Sequence, residues 1–177
     1  MAVGVVIMIG GVYIGWPTPD PPLVPETNLQ QGPLPPWMYV ALKEVGEKRD
    51  REGKNNPKII EYERTIPGLK RSDKEDWAPA FVEWSLEKAN IKGPKQQTIS
   101  AWLNWGKVLE KPEPGCIVIF SFQGLPHIGF FYADKGRMLQ ILGGNQDGEV
   151  KIKEQEKSAV QGYRMPVDWS PPPTVVK

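Results

Sequence analysis

Two different spacings of hydrophobic residues divide the chain. In the first half of the folded region, apolar residues recur at intervals of three and four, the period of an amphipathic helix. This spacing predicts four helical segments: WMYVALKEVG, NPKIIEYERT, AFVEWSLEKA and TISAWLNWGKVL. We expect Gly46 to end the first helix and Pro57 to lie in the first turn of the second. Thr98 or Ser100 would cap the fourth helix.

The second half has the pattern of strands. GCIVIFSF, HIGFFYAD, RMLQILGG and EVKIKEQE are short runs rich in β-branched and aromatic residues, and Gly-containing turns separate them. Helices followed by a series of antiparallel strands predict an α+β fold. The N-terminal helices are expected to pack on one side of a small antiparallel sheet.

The two ends of the chain differ from its middle. Residues 1–16 carry no charged side chain, and residues 17–36 contain eight prolines, which is typical of an extended linker. The folded domain is therefore predicted over 37–166, with a proline-rich tail over 167–177. Since a membrane-spanning helix needs about 20 apolar residues, we expect residues 1–16 to pack on this domain or on a partner. A membrane or export element and sequence added for expression remain alternatives.

Charge and metal-ligand content exclude two function classes. Lys and Arg number 22 against 21 Asp and Glu, which leaves a net charge of +1 and no basic excess for nucleic acid. One histidine and one cysteine cannot build a Cys/His zinc site, and one cysteine cannot close an intrachain disulfide. We expect no nucleic-acid partner, no metal and no organic cofactor.

The single histidine is the first candidate for chemistry. His127 lies at a strand entry, where Pro126 removes a backbone donor and Gly129 leaves space for a ligand. Asn145 and Gln146 follow two glycines at the end of the next strand. A histidine and an amide on neighbouring strands can form the base and orienting group of a nucleophilic site. A half-buried structural histidine is the alternative interpretation.

The nucleophile is harder to find. Cys116 begins an apolar strand without a nearby cation or helix N-terminus to lower its pKa, which favours a buried, inert thiol. The serines lack a strained-turn signature. Position 78, by contrast, lies at a predicted helix N-terminus, where free N–H groups stabilise a thiolate or an oxyanion. It is occupied by alanine.

Ordered blocks of sequence carry a resemblance to a known family. They lie within DWAPAFVEWSLEKANIKG, SAWLNWGKVLEKPEPGCIVIF, HIGFFYADKGRMLQILGGNQ and GYRMP. Over roughly residues 35–166 the chain resembles the NlpC/P60 and CHAP superfamily of papain-like cysteine peptidases and amidases, above all its small bacterial and phage branch. The resemblance implies a papain-like NlpC/P60-type fold.

The resemblance also implies a function and a site. Family members cut the peptide part of peptidoglycan, as phage endolysins, wall-remodelling enzymes or antibacterial toxins, so we expect action in the periplasm or cell envelope. By position, the nucleophile falls on Ala78, the general base on His127 and the orienting amide on Asn145, with Gln146 as its alternate. Three positions are expected to bind substrate: Asp76, Trp77 and Gln146.

The alanine departs from the family pattern, because its methyl group cannot attack an acyl carbon. Either an engineered Cys→Ala change inactivates a hydrolase, or the chain is a natural pseudoenzyme. We favour the first, since the residues around Ala78, His127 and Asn145 still fit the active pattern. A catalytically dead module that binds cell wall or protein is the alternative from another class, and an enzyme that uses Cys116 is a third.

The N-terminal region suggests further partners. The apolar start followed by a proline linker would suit docking of residues 1–36 to an immunity protein, a secretion device, a phage particle or a membrane.

Overall fold

The computed structural model describes residues 34–122 and 124–170. The expectations for residues 1–16, for the linker as far as residue 33, and for the tail from residue 171 lie outside the described residues. The helices are α1 (Pro36–Lys43), α2 (Pro57–Glu63), α3 (Ala78–Lys88) and α4 (Ile99–Leu103). The strands are β1 (Lys107–Leu109), β2 (Ile117–Phe122), β3 (Leu125–Lys135), β4 (Met138–Gln146), β5 (Glu149–Glu156) and β6 (Val160–Met165).

The strands form one sheet in the order β1-β6-β2-β3-β4-β5, and every neighbouring pair is antiparallel. The predicted α+β class, with N-terminal helices packed on an antiparallel sheet, is confirmed. Strands β1 and β6 were not predicted from the pattern. They pair with each other at one edge of the sheet, and β6 also pairs with β2.

Two helix ends differ from their predictions. Helix α1 ends at Lys43, and the Gly46 N–H donates to the Val150 carbonyl at 2.9 Å instead of capping the helix. Helix α4 ends at Leu103, after which KVL pairs with β6. Gly106 makes this pairing possible, since its φ is +66° and an added Cβ would lie 2.4 Å from the Met165 carbonyl oxygen. Pairing with β6 therefore overrides the helical spacing.

A local cap explains where α2 begins, whereas α4 begins without one. The Asn56 side chain accepts from the Lys58 N–H at 2.7 Å, with Pro57 in the first turn of α2, as predicted. Helix α4 begins after Thr98, but neither Thr98 nor Ser100 makes the predicted side-chain cap.

Helix α3 packs across β3 and β4, and this packing positions the site. The rings of Phe81 and Phe130 meet edge to face with centroids 6.4 Å apart. At Gly144, an added Cβ would lie 2.6 Å from the Trp77 ring and 2.7 Å from the Phe81 Cβ. The glycine therefore lets the end of β4 approach the first turn of α3 closely.

Packing in the folded domain continues beyond its last strand, β6. Trp169, beyond the predicted domain end at Pro166, packs edge to face on Trp37 with ring centroids 5.0 Å apart. The Trp37 ring N–H donates to the Gly115 carbonyl at 2.8 Å. Within the described ranges, no helix has the length and apolar character needed to cross a membrane.

Candidate active site

A groove with a volume of about 530 Å³ lies beside the first turn of α3. Residues from separate parts of the chain line it: Arg49, Asp76, Leu125, Pro126, His127, Asn145, Gln146, Asp147, Gly148, Lys153 and Gln155. His127 and Asn145, on the neighbouring strands β3 and β4, both line this groove. Ala78 is 1% exposed and does not belong to this lining, although Asp76 next to it does.

Asp76 connects the first turn of α3 to the end of β4. Its Oδ1 accepts from the Ala78 N–H at 3.1 Å and from the Asn145 side-chain amide at 3.0 Å. A carboxylate at this position satisfies one of the free N–H groups of the helix and interacts favourably with its dipole. The backbone donor that was expected to receive an oxyanion is thus bonded to Asp76 in this structure.

Asn145 is fixed by a donor on one side and an acceptor on the other. Its Oδ1 accepts from Arg49 Nη2 at 2.5 Å, while its Nδ2 donates to Asp76. A guanidinium only donates and a carboxylate only accepts, so this pair sets which way the amide faces. The backbone of Asn145 has a φ of +56°, a left-handed conformation that asparagine tolerates better than most residues.

His127 lies on β3 opposite Phe120 of β2, and the two rings meet edge to face with centroids 5.3 Å apart. Burial lowers the pKa of His127, the Asp76 carboxylate raises it, and the Lys153 ammonium lowers it further. The net lowering favours a neutral ring that can accept a proton. Among the described residues, no hydrogen bond joins His127 to Asn145.

Two residues predicted to bind substrate have structural contacts instead. Trp77 is fully buried and packs against Tyr62 with ring centroids 6.0 Å apart. The side-chain amide of Gln146 donates to the carbonyls of Ile141 and Lys151, inside its own hairpin. In this conformation both side chains support the walls of the groove, and their role in substrate binding stays a prediction. Gln146 makes no described hydrogen bond to His127, and its buried Oε1 has no hydrogen-bond partner.

Cys116 has the environment of an inert thiol. It is fully buried at the start of β2, and burial raises its pKa to about 12. The thiolate, which is the nucleophilic form, is therefore scarce at neutral pH. This agrees with the interpretation of the sequence.

Arg49 lines the groove, although nothing in the sequence indicated it. Arg49 belongs to the charged stretch KRDREGK, whose composition is that of a solvated loop. It reaches the groove because its backbone N–H donates to the Gly148 carbonyl at 2.9 Å, which holds this loop against the turn between β4 and β5. Across residues 34–122 and 124–170, no cluster of three or more His, Cys, Asp or Glu side chains could hold a metal ion.

Comparison with known proteins finds a distant likeness at the level of structure. No protein-family model matches the chain, and no curated protein matches it significantly. Among solved structures, the chain is similar to a lipoprotein-like protein of the NLP/P60 family from Staphylococcus aureus, with 14% identity and a TM-score of 0.43. The likeness covers 84% of this chain and 45% of that protein, so the chain spans less than half of its length.

Proposed function

We propose that this chain is a papain-like cysteine hydrolase of the NlpC/P60 type, acting on peptide bonds of peptidoglycan in the cell envelope, with alanine at the nucleophile position. The observation that carries the proposal is the Asp76–Asn145 hydrogen bond. It fastens the first turn of α3 to the end of β4, beside the groove that His127 lines. A helix N-terminus, a base and an amide meet there, as a cysteine hydrolase requires.

The chemistry would begin at position 78. In the parent enzyme a cysteine there would lie at the N-terminus of α3, whose dipole favours a thiolate. His127, with its lowered pKa, would take the thiol proton and later give it to the leaving amine. The thiolate would attack the acyl carbon, and water would then hydrolyse the thioester.

Orientation and oxyanion binding require small rearrangements from the present contacts. Asn145 Oδ1 accepts from Arg49 but has a second lone pair, which a ring N–H of His127 could use. The N–H of residue 78 could stabilise an oxyanion after leaving Asp76 Oδ1, to which it donates at 3.1 Å. Catalytic hydrogen bonds often tighten only when substrate is bound.

A binding module is the second candidate. Ala78 has no nucleophilic atom, while its N–H and the Asn145 amide already have partners within the fold. A groove satisfied in this way can bind a peptide without cutting it.

Restoring the nucleophile tests the proposal. Purified peptidoglycan is incubated with the Ala78→Cys protein, with Ala78→Cys/His127→Ala and with Ala78→Cys/Cys116→Ser, and released peptides are measured by chromatography and mass spectrometry. We expect cleavage by the first and third proteins only. An Ala78→Cys protein that is folded but inactive on sacculi of several stem-peptide chemistries would establish the binding module instead. Cleavage by the Ala78 protein that Cys116→Ser abolishes would assign the nucleophile to Cys116.

A further inference from the structure

Arg49 lines the groove, and its side chain has a neutral hydrogen-bond partner. Its guanidinium donates to the Asn145 amide oxygen, and its Nε is buried without a partner. No salt bridge involves Arg49 within the described residues, although the groove also contains carboxylates. A half-buried guanidinium usually has an anionic partner, because removing a charge from water is costly without one.

The carboxylates nearest to Arg49 are committed to other groups. Asp76 Oδ1 accepts from the N-terminus of α3 and from Asn145. Asp147 pairs with Lys151 at 2.7 Å and with Lys153 at 2.9 Å, and these two ammonium groups hold its pKa below the usual range. Neither of these two groove carboxylates forms a salt bridge with Arg49.

We propose that Arg49 is the recognition site for a carboxylate of the peptide bound in the groove. This proposal rests on the proposed function in one respect, that the ligand is a peptide. A guanidinium presents several N–H donors in a planar fork that matches a carboxylate. A charged carboxylate is also a stronger acceptor than a neutral amide oxygen, so it would replace Asn145 on the guanidinium.

The surroundings of Arg49 are arranged for recognition. The backbone N–H of Arg49 is bonded to the Gly148 carbonyl, and a Cβ at Gly148 would lie 3.1 Å from the Arg49 Cδ. The arginine stem is thus held against the turn before any ligand arrives, which lowers the entropic cost of binding. Leu125, 71% exposed, offers an apolar contact elsewhere in the same groove. The ligand that fits is a short peptide with a carboxylate and an apolar side chain.

Binding of the carboxylate would also change the contacts of His127. Once Arg49 turns to the ligand, both lone pairs of Asn145 Oδ1 become available for a ring N–H of His127. Ligand recognition and orientation of the base would then be coupled through one amide.

Binding can be tested on the unmodified protein, with Ala78, because the experiment measures binding of a probe and requires no cleavage. His127 is the single histidine of the chain, so its ring signal in an NMR spectrum needs no further assignment. The probes are N-acetyl-Ala-Ala with a free C-terminal carboxylate, N-acetyl-Glu-amide with a side-chain carboxylate, and N-acetyl-Ala-Ala-amide without a carboxylate. We expect at least one carboxylate probe to bind about tenfold tighter than the amide, the size of one charge-assisted hydrogen bond.

Variants of Arg49 test whether this side chain causes the tighter binding of carboxylate probes. Arg49→Gln should abolish the preference for carboxylate, while Arg49→Lys, which keeps the charge but loses the fork, should retain part of it. The matched control is Arg64→Gln, an exposed arginine that lines a different groove, which should leave binding unchanged. If Arg49→Gln does not fold, the Arg49→Lys protein and the three-probe comparison still decide the question.

The outcomes separate this proposal from the proposed function. Equal binding of the carboxylate and amide probes, or an unchanged preference in folded Arg49→Gln, would overturn carboxylate recognition even if Ala78→Cys cuts peptidoglycan. Which carboxylate probe binds tighter shows whether the chain end or a side chain is recognised. Conversely, an inactive Ala78→Cys protein whose Ala78 form still prefers carboxylates at Arg49 would overturn the hydrolase and keep the recognition site.

Discussion

Position 78 and Cys116 are the two places where a thiol could act; both are buried, at 1% and 0% exposure, but the polar groups around them differ. Position 78 begins α3, with Asp76 on its backbone N–H and the polar groove beside it. Cys116 begins β2 inside the apolar core, where burial raises the pKa of its thiol to about 12. The chain thus has a thiol where burial disfavours the thiolate, and alanine at a helix N-terminus.

The comparison shows that the environment of a thiol, and not its presence, decides its chemistry. Burial in apolar surroundings disfavours the thiolate, while a helix N-terminus favours it. The four tests below break or sharpen this contrast, from the largest expected effect to the smallest.

The largest difference should appear in thiol reactivity. In the Ala78→Cys/Cys116→Ser protein, we expect iodoacetamide to modify residue 78 at least about a hundredfold faster at pH 7.5 than it modifies Cys116 in the unmodified protein, because a helix N-terminus favours the thiolate while burial raises the pKa of Cys116 to about 12. Mass spectrometry over time measures the two rates. Equal rates would mean that residue 78, 1% exposed as alanine, is as shielded as Cys116.

Gly144→Ala should disturb the packing at the first turn of α3, next to position 78. The added Cβ would meet Trp77 and Phe81 at 2.6 and 2.7 Å, so we expect a loss of about 1–3 kcal/mol in the free energy of unfolding, measured with urea. Gly162→Ala is the control, because its nearest neighbour is the flexible Arg164 side chain at 3.1 Å. In an Ala78→Cys background the Gly144 change should also alter reactivity at residue 78. A loss no greater than that of the control would show that α3 does not depend on this close approach.

Asp76→Ala should reduce the free energy of unfolding by less than Gly144→Ala does. It removes the acceptor for the N–H of Ala78 and for the Asn145 amide, and we expect a loss of about 1 kcal/mol in the free energy of unfolding. Asp76→Asn, which keeps an acceptor oxygen, is the matched variant and should lose less. Identical losses would mean that charge at Asp76, rather than hydrogen bonding, fastens the helix to β4.

The pH dependence contributed by His127 should be the smallest effect. Its folded pKa lies below the ordinary value, so as pH falls below about 6.5 the unfolded chain takes up the proton first and the fold loses stability through that window. Above the window His127 contributes no pH dependence. The slope cannot exceed about 1.4 kcal/mol per pH unit for one group.

Comparison with His127→Gln isolates this contribution. Burial raises the pKa of Glu63 and Glu83, so their contributions run the other way and are lost as pH rises from their ordinary range. Both proteins contain these groups, and the difference between their urea unfolding curves at pH 7.5, 6.5 and 5.5 removes them. A constant difference across these values would contradict the lowered pKa.

The fold class followed from local patterns, while several elements did not. The change from helical to alternating spacing predicted helices before strands, and Asn56-Pro57 predicted the start of α2. Strand β1 was assigned to a helix, because the apolar residues after Trp102 continue a helical spacing. Its pairing with β6 is a long-range contact that a local period cannot indicate.

In the candidate site, too, some features followed from the sequence and others did not. The sequence alone determined that His127 and Asn145 end up near each other, since neighbouring strands in a series of hairpins pair, and that Cys116 is buried. Only the tertiary structure decided that Arg49 reaches Asn145, 96 residues away, and that Gln146 turns into its own hairpin. A hydrophobic period or a sequence motif indicates only how residues close together in the sequence are arranged. Partners of a charged or amide side chain depend on which distant backbone packs beside it, and that is decided when α3, the loop before α2 and the β4–β5 turn come together.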